Sequence, residues 1–182
     1  VAVVAHYPPP DPPVGGGIVA RLSPVFPEEG IDLGDRVRAL PSDNDVPGMP
    51  GWRWIHTPGH SPGHVALFRA TGRILLAGDA VWTTRQESAY AVLTQQQELT
   101  GPPAYFTIDW DKAETSVRTL ASLKPALLAS GHGQPMRQPS LPEDLAALAR
   151  DFNERVRPSP GRYLRNPAIT DDEGIVGLPA RS

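Results

Sequence analysis

The chain has 182 residues, enough for one domain with a real core, and its 40% hydrophobic content with 17 basic against 20 acidic side chains fits a soluble globular protein. That near-balance gives no basic excess for nucleic acid, the absence of cysteine rules out disulfides and thiolate ligands, and the apolar opening at 1–5 is too short for a membrane span or a signal core. A small-molecule partner and, by default, a cytoplasmic location are the expectations that remain.

Strands are expected at 1–5, 36–40, 52–56, 64–69, 73–77 and 126–129, where short apolar runs are bounded by turn residues. Between the first two, Pro8-Pro9-Pro10-Asp11-Pro12-Pro13 runs into Gly15-Gly16-Gly17, which reads as an extended, partly polyproline loop or a plain spacer. The chain has 22 prolines, well above the usual share of about 5%, yet residues 64–101 are free of them and should hold regular structure. Thr71-Gly72 suits a tight turn between the strands at 64–69 and 73–77. Residues 111–123 place Ala113, Val117, Leu120 and Leu123 at helical spacing, and Pro125 ends that helix before the strand at 126–129. Ser140-Leu141-Pro142-Glu143 has the form of a capping box, after which Leu141, Leu145, Leu148 and Phe152 mark one face of a second helix. Pro158, Pro160, Gly161 and Pro167 break periodicity, so 158–182 is expected to be an irregular tail. Arg155, Arg157, Arg162 and Arg165 around it read as solvated charges.

Three places along this alternation carry side chains that packing does not require. Ile55-His56-Thr57-Pro58-Gly59-His60-Ser61-Pro62-Gly63-His64 holds three histidines and two Pro-Gly turns, and a stiff, sharply bent loop displaying imidazoles is a way to fix a metal ligand. The run ending Leu75-Leu76-Ala77-Gly78-Asp79 puts a carboxylate at the mouth of a buried strand, and Leu127-Leu128-Ala129-Ser130-Gly131-His132-Gly133 does the same with an imidazole. Taken singly, each has a structural reading. His56 can be a strand-end histidine bonded to a carbonyl, His64 the first residue of the next strand, Asp79 a turn or cap residue, and His132 a surface-loop residue. Their joint occurrence directly after short apolar segments is what points to a site.

In this order, His-Thr-Pro-Gly-His-Ser-Pro-Gly-His at 56–64, Leu-Leu-Ala-Gly-Asp at 75–79 and Ser-Gly-His-Gly at 130–133 resemble the third, fourth and fifth motifs of the metallo-β-lactamase superfamily, in its glyoxalase II-like branch. The likeness extends over about residues 31–134. It implies an α/β fold, a four-layer αββα sandwich of which this chain supplies mainly the second half, as a partial domain over 1–157. It also implies that His60 is a ligand of a first metal, Asp79 the carboxylate bridging two metals and His132 a ligand of the second, with Zn as the expected metal and Fe or Mn as alternatives. No ligand role falls to His56 or His64, which are expected to brace the ligands or shape the loop.

The family's His-x-His-x-Asp-His motif is absent; the only upstream histidine, His6, has no His or Asp at the needed spacing. The expectation is therefore the carboxyl-terminal part of a longer protein. Its whole would be a metal-dependent hydrolase of an ester, thioester or lactone-like bond, with His60, Asp79 and His132 as the catalytic metal set. The chain alone would be inactive and would leave apolar sheet surface uncovered. Two other readings stand beside it: a mononuclear iron oxygenase using His60 and Asp79 only, and a non-catalytic homologue that keeps the motifs as loop architecture.

Overall fold

Alternation of half-exposed and buried apolar residues builds the central sheet. In the computed structural model, which describes residues 37–85, 93–94, 96–104, 106–159, 163–171 and 174–177, β1 (Trp52–His56), β2 (Val65–Arg69), β3 (Ile74–Leu76) and β4 (Leu127–Ala129) pair in the order β1-β2-β3-β4. The first two pairings are antiparallel and β3–β4 is parallel. Ala66, Leu75 and Leu128 point inward and are fully buried, whereas Trp54, Leu67, Ile74, Leu76 and Leu127 on the opposite face are only half-buried.

The inward face is covered by two helices. Helix α1 (Trp110–Ser122) starts at Asp109, whose carboxylate accepts the Lys112 backbone N–H at 3.0 Å, and it buries Ala113, Val117 and Leu120. Helix α2 (Leu141–Arg150) buries Leu141, Leu145 and Leu148, and the short α3 (Phe152–Arg155) adds Phe152, all within one apolar cluster with the sheet residues. Sheet and helices give the mixed α/β class expected.

Four details depart from expectation. Residues 37–40 form no strand: they are largely exposed and join no ladder, and the stretch that follows them meets β1 through the isolated bridge Asp45–Arg53 and the Trp54 indole N–H on the Pro41 carbonyl at 3.0 Å. Ser140 does not close a capping box: its hydroxyl donates to the Asp144 carboxylate at 2.8 Å and its side chain makes no capping bond to the helix backbone. The stretch after 158 is not irregular throughout, because β5 (Ile169–Asp171) and β6 (Gly174–Gly177) form an antiparallel pair built on β-branched residues, and Tyr163 and Ala168 join the core. Arg157 is not a solvated charge: it is 22% exposed, donates to Asp111 at 2.6 Å and lies 3.7 Å from Glu114, tying the chain end to α1. The expected strand at 1–5, His6 and the Pro-Gly loop lie outside the described residues.

Candidate metal centre

The sheet register determines which residues meet. Extending each pairing past its last hydrogen bond places Thr57 opposite His64, His64 opposite Asp79, and Asp79 beside His132, in one row across all four strands. Hydrogen bonds confirm the row. Thr57 N–H donates to the His64 carbonyl at 2.9 Å, Ala77 N–H to the Ala129 carbonyl at 2.8 Å, and Gly131 N–H to the Gly78 carbonyl at 3.0 Å. Two residues far apart in sequence, Asp79 and His132, therefore become neighbours because β3 and β4 are parallel and in step.

His60 arrives from the β1–β2 loop. That loop is seated on the start of α1: Ile108 and Asp109 N–H groups donate to the Gly59 carbonyl at 3.2 and 3.1 Å, and the Ser116 hydroxyl donates to the Pro58 carbonyl at 2.7 Å. Gly59 has φ +135° and lies so close to Ala113 of α1 that any Cβ would overlap its backbone, so only glycine lets the loop dock there. His56 Nε2 bonds the Pro62 carbonyl at 2.7 Å, fastening the outer limb of the same loop.

The three candidate ligands converge. His60 Nε2 lies 3.7 Å from Asp79 Oδ2 and His132 Nε2 lies 3.7 Å from Asp79 Oδ1, one imidazole on each carboxylate oxygen. Atoms that share a cation at bonds of about 2.0–2.2 Å stand roughly 3–4 Å apart, so both separations leave room for an ion between the partners. Gly131 allows this approach, since a Cβ at that position would collide with Asp79 Oδ1. His60 is 18% exposed and burial pushes its pKa down to about 4 against the pull of Asp79, so at neutral pH it is the uncharged imidazole that a metal requires. Its Nδ1 is buried and has no hydrogen-bond partner among the described residues.

Two neighbours of Asp79 carry no motif signal as ligands. The Asp79 backbone N–H donates to His64 Nε2 at 2.9 Å, which leaves the His64 proton on Nδ1, 2.8 Å from the Thr57 hydroxyl and 3.2 Å from its carbonyl. Burial lowers the His64 pKa and so favours this neutral form, although Asp79 and the Thr57 carbonyl oppose the shift. His56 and His64 are thus each held in the site by hydrogen bonds, His56 to the loop carbonyl of Pro62 and His64 between Thr57 and the Asp79 main chain. The second neighbour is Trp82, whose indole N–H donates to Asp79 Oδ1 at 2.8 Å. The loop bearing His132 is held by its carbonyl, which accepts from the Thr83 hydroxyl at 3.0 Å and from the Ser130 hydroxyl at 2.5 Å.

Imidazole nitrogen with carboxylate oxygen is a donor set suited to zinc, manganese or iron. The donor types fit a metal and the complement is partial. Each ion would receive one imidazole and one carboxylate oxygen, below the three protein ligands of a catalytic zinc. Among the described residues, no group of three or more His, Cys, Asp or Glu side chains forms a metal cage by itself. Nor, among them, is any helix long and apolar enough to cross a membrane.

The sequence profile described as the metallo-beta-lactamase superfamily matches residues 1–132. The chain is 52% identical over 143 residues to the probable metallo-hydrolase YflN of Bacillus subtilis (strain 168), an alignment covering 79% of this chain and 54% of that protein. It is 33% identical over 82 residues to the probable metallo-hydrolase YybB of the same organism, covering 45% of this chain and 32% of the relative. The chain therefore spans about half, or less, of the length of these curated relatives. Among solved structures, a metallo-beta-lactamase family protein from Thermus thermophilus aligns with TM-score 0.39 and 22% identity, over 57% of this chain and 30% of that one.

Proposed function

The chain belongs to the metallo-beta-lactamase superfamily, and from that premise we propose that the protein containing it is a metal-dependent hydrolase of an ester, thioester or lactone-like bond. The observation that carries this reading is the placement of His60 and His132 on opposite oxygens of Asp79, each at 3.7 Å. In it, His60 and Asp79 would hold one divalent ion, and Asp79 and His132 a second.

Bound divalent metal supplies a nucleophile at neutral pH, by lowering the pKa of water from about 15.7 to about 7, and it stabilises the oxyanion that forms on the substrate. The chain's own residues supply the rest. Asp79 spaces the two halves of the centre, His64 fixes its main chain, and the α1-docked loop keeps the His60 imidazole neutral and in place. Activated acyl bonds suit such a site because their leaving groups depart with little proton assistance, and no described side chain is placed as a dedicated acid.

The equal spacing of both imidazoles supports a two-ion centre over the mononuclear iron alternative, in which His132 would stand aside. Expression of the complete coding region, metal analysis and a panel of thioester, lactone and aryl ester substrates test the proposal. Close to two equivalents of zinc or manganese with turnover of one of these classes is the expected outcome. One equivalent of iron, or no metal and no turnover, would overturn it.

A further inference from the structure

Trp82 lies three positions beyond Asp79 and is 3% exposed. Its main chain is clamped by a reciprocal pair of hydrogen bonds with Thr100, both 2.9 Å. The indole makes two contacts at once. Its N–H donates to Asp79 Oδ1 at 2.8 Å, and its ring lies against the His132 imidazole with centroids 4.3 Å apart and planes inclined at 51°. One rigid side chain thus touches both donors of the same half of the centre.

We propose that Trp82 is a positioning residue that sets the rotation of the Asp79 carboxylate and the plane of the His132 imidazole together. The inference rests on the metal-site role proposed above for Asp79 and His132. The terminal torsion of an aspartate is soft, so a directed donor on one oxygen is needed to choose its angle. His132 sits between two glycines with 44% of its side chain exposed. Indole nitrogen is a donor only, which lets it orient the carboxylate without competing for a cation. Oδ1 keeps a lone pair on the side facing His132. The ring face meanwhile favours an offset aromatic neighbour, which fixes the imidazole by contact rather than by charge.

The test compares the complete protein with Trp82→Phe, which keeps a ring and loses the donor, and Trp82→Leu, which loses both. In metal-free protein, NMR should show the wild-type His132 ring protons shifted by the indole ring current and the shift abolished in Trp82→Leu. The Trp82 N–H resonance should move in Asp79→Asn. In zinc titrations against a competing chelator, Trp82→Phe should weaken zinc binding by about tenfold or more while the metal-free variant keeps the wild-type circular dichroism spectrum. Wild-type affinity for both equivalents in Trp82→Phe would overturn the proposal. So would His132 shifts that are the same with and without the indole. Should wild-type protein bind no zinc, the metal-site function fails, and the NMR comparison alone decides whether Trp82 positions these two side chains. If Trp82→Leu does not fold, Trp82→Phe and Asp79→Asn still decide the carboxylate contact, and the presence or absence of nuclear Overhauser contacts between the indole and the His132 ring in the wild type decides the imidazole contact.

Discussion

Replacing His60 by leucine should stabilise the metal-free chain, and increasingly so as pH falls. At neutral pH the wild-type imidazole is neutral, and its buried Nδ1 has no hydrogen-bond partner among the described residues. An unsatisfied buried polar atom costs about 1–3 kcal/mol, and an apolar side chain of similar size removes that cost. Acid adds a second contribution. The folded-state pKa of about 4 lies below the ordinary 6.5, so between these values the unfolded chain binds a proton that the folded chain does not. Folding stability from this group is therefore complete above about pH 6.5 and is lost progressively toward pH 4, a total on the order of 3 kcal/mol. Urea unfolding followed by far-UV circular dichroism at several pH values between about 7 and 4 measures both contributions, with the variant cancelling the shared acid response of other groups. The gap between His60→Leu and wild type should widen on acidification. Parallel stability curves, or a wild type that gains on His60→Leu at low pH, would refute the assignment of a buried neutral imidazole.

Gly131→Ala should destabilise the fold by about 1–3 kcal/mol, because the added methyl group must push Asp79 Oδ1 aside; an unchanged denaturation midpoint would show that the strand ends are not in contact. Leu145→Ala, at a fully buried position of α2, should cost about 2–5 kcal/mol in the same assay. Asp79→Asn in the complete protein should remove most hydrolytic activity while circular dichroism stays unchanged, and a variant retaining wild-type turnover would exclude Asp79 from the chemistry. Dialysed zinc content should be far below one equivalent for the 182-residue chain, which stoichiometric retention would contradict.

The strands that form the sheet were legible because their apolar runs are short and bounded by turns, and α1 and α2 because Ala113, Val117 and Leu120, and then Leu141, Leu145 and Leu148, repeat at helical spacing. The convergence of His60, Asp79 and His132 could be anticipated from their places after strand ends, but the row that joins Thr57, His64, Asp79 and His132 could not. It depends on three strand registers, and register is a property of pairs of strands rather than of any local pattern. Residues 37–40 misled because an apolar alternation without a partner strand does not make a ladder. The β5–β6 pair was hidden because prolines nearby punctuate the chain without preventing a short hairpin beyond them. Trp82 gave no signal because a tryptophan after an apolar run reads as core. It is core by burial, and its one polar atom is turned to the carboxylate.

The reciprocal bridge between Trp82 and Thr100, with Glu98 N–H on the Thr83 carbonyl at 3.0 Å and Arg85 against Glu98 at 2.6 Å, pinches the chain into a neck just downstream of Asp79. Lengthening a closed excursion adds only about 0.6 kcal/mol per doubling. Insertions beyond that neck should therefore cost the fold little while the clamp between Trp82 and Thr100 holds its place, which makes this the natural point at which to lengthen the chain.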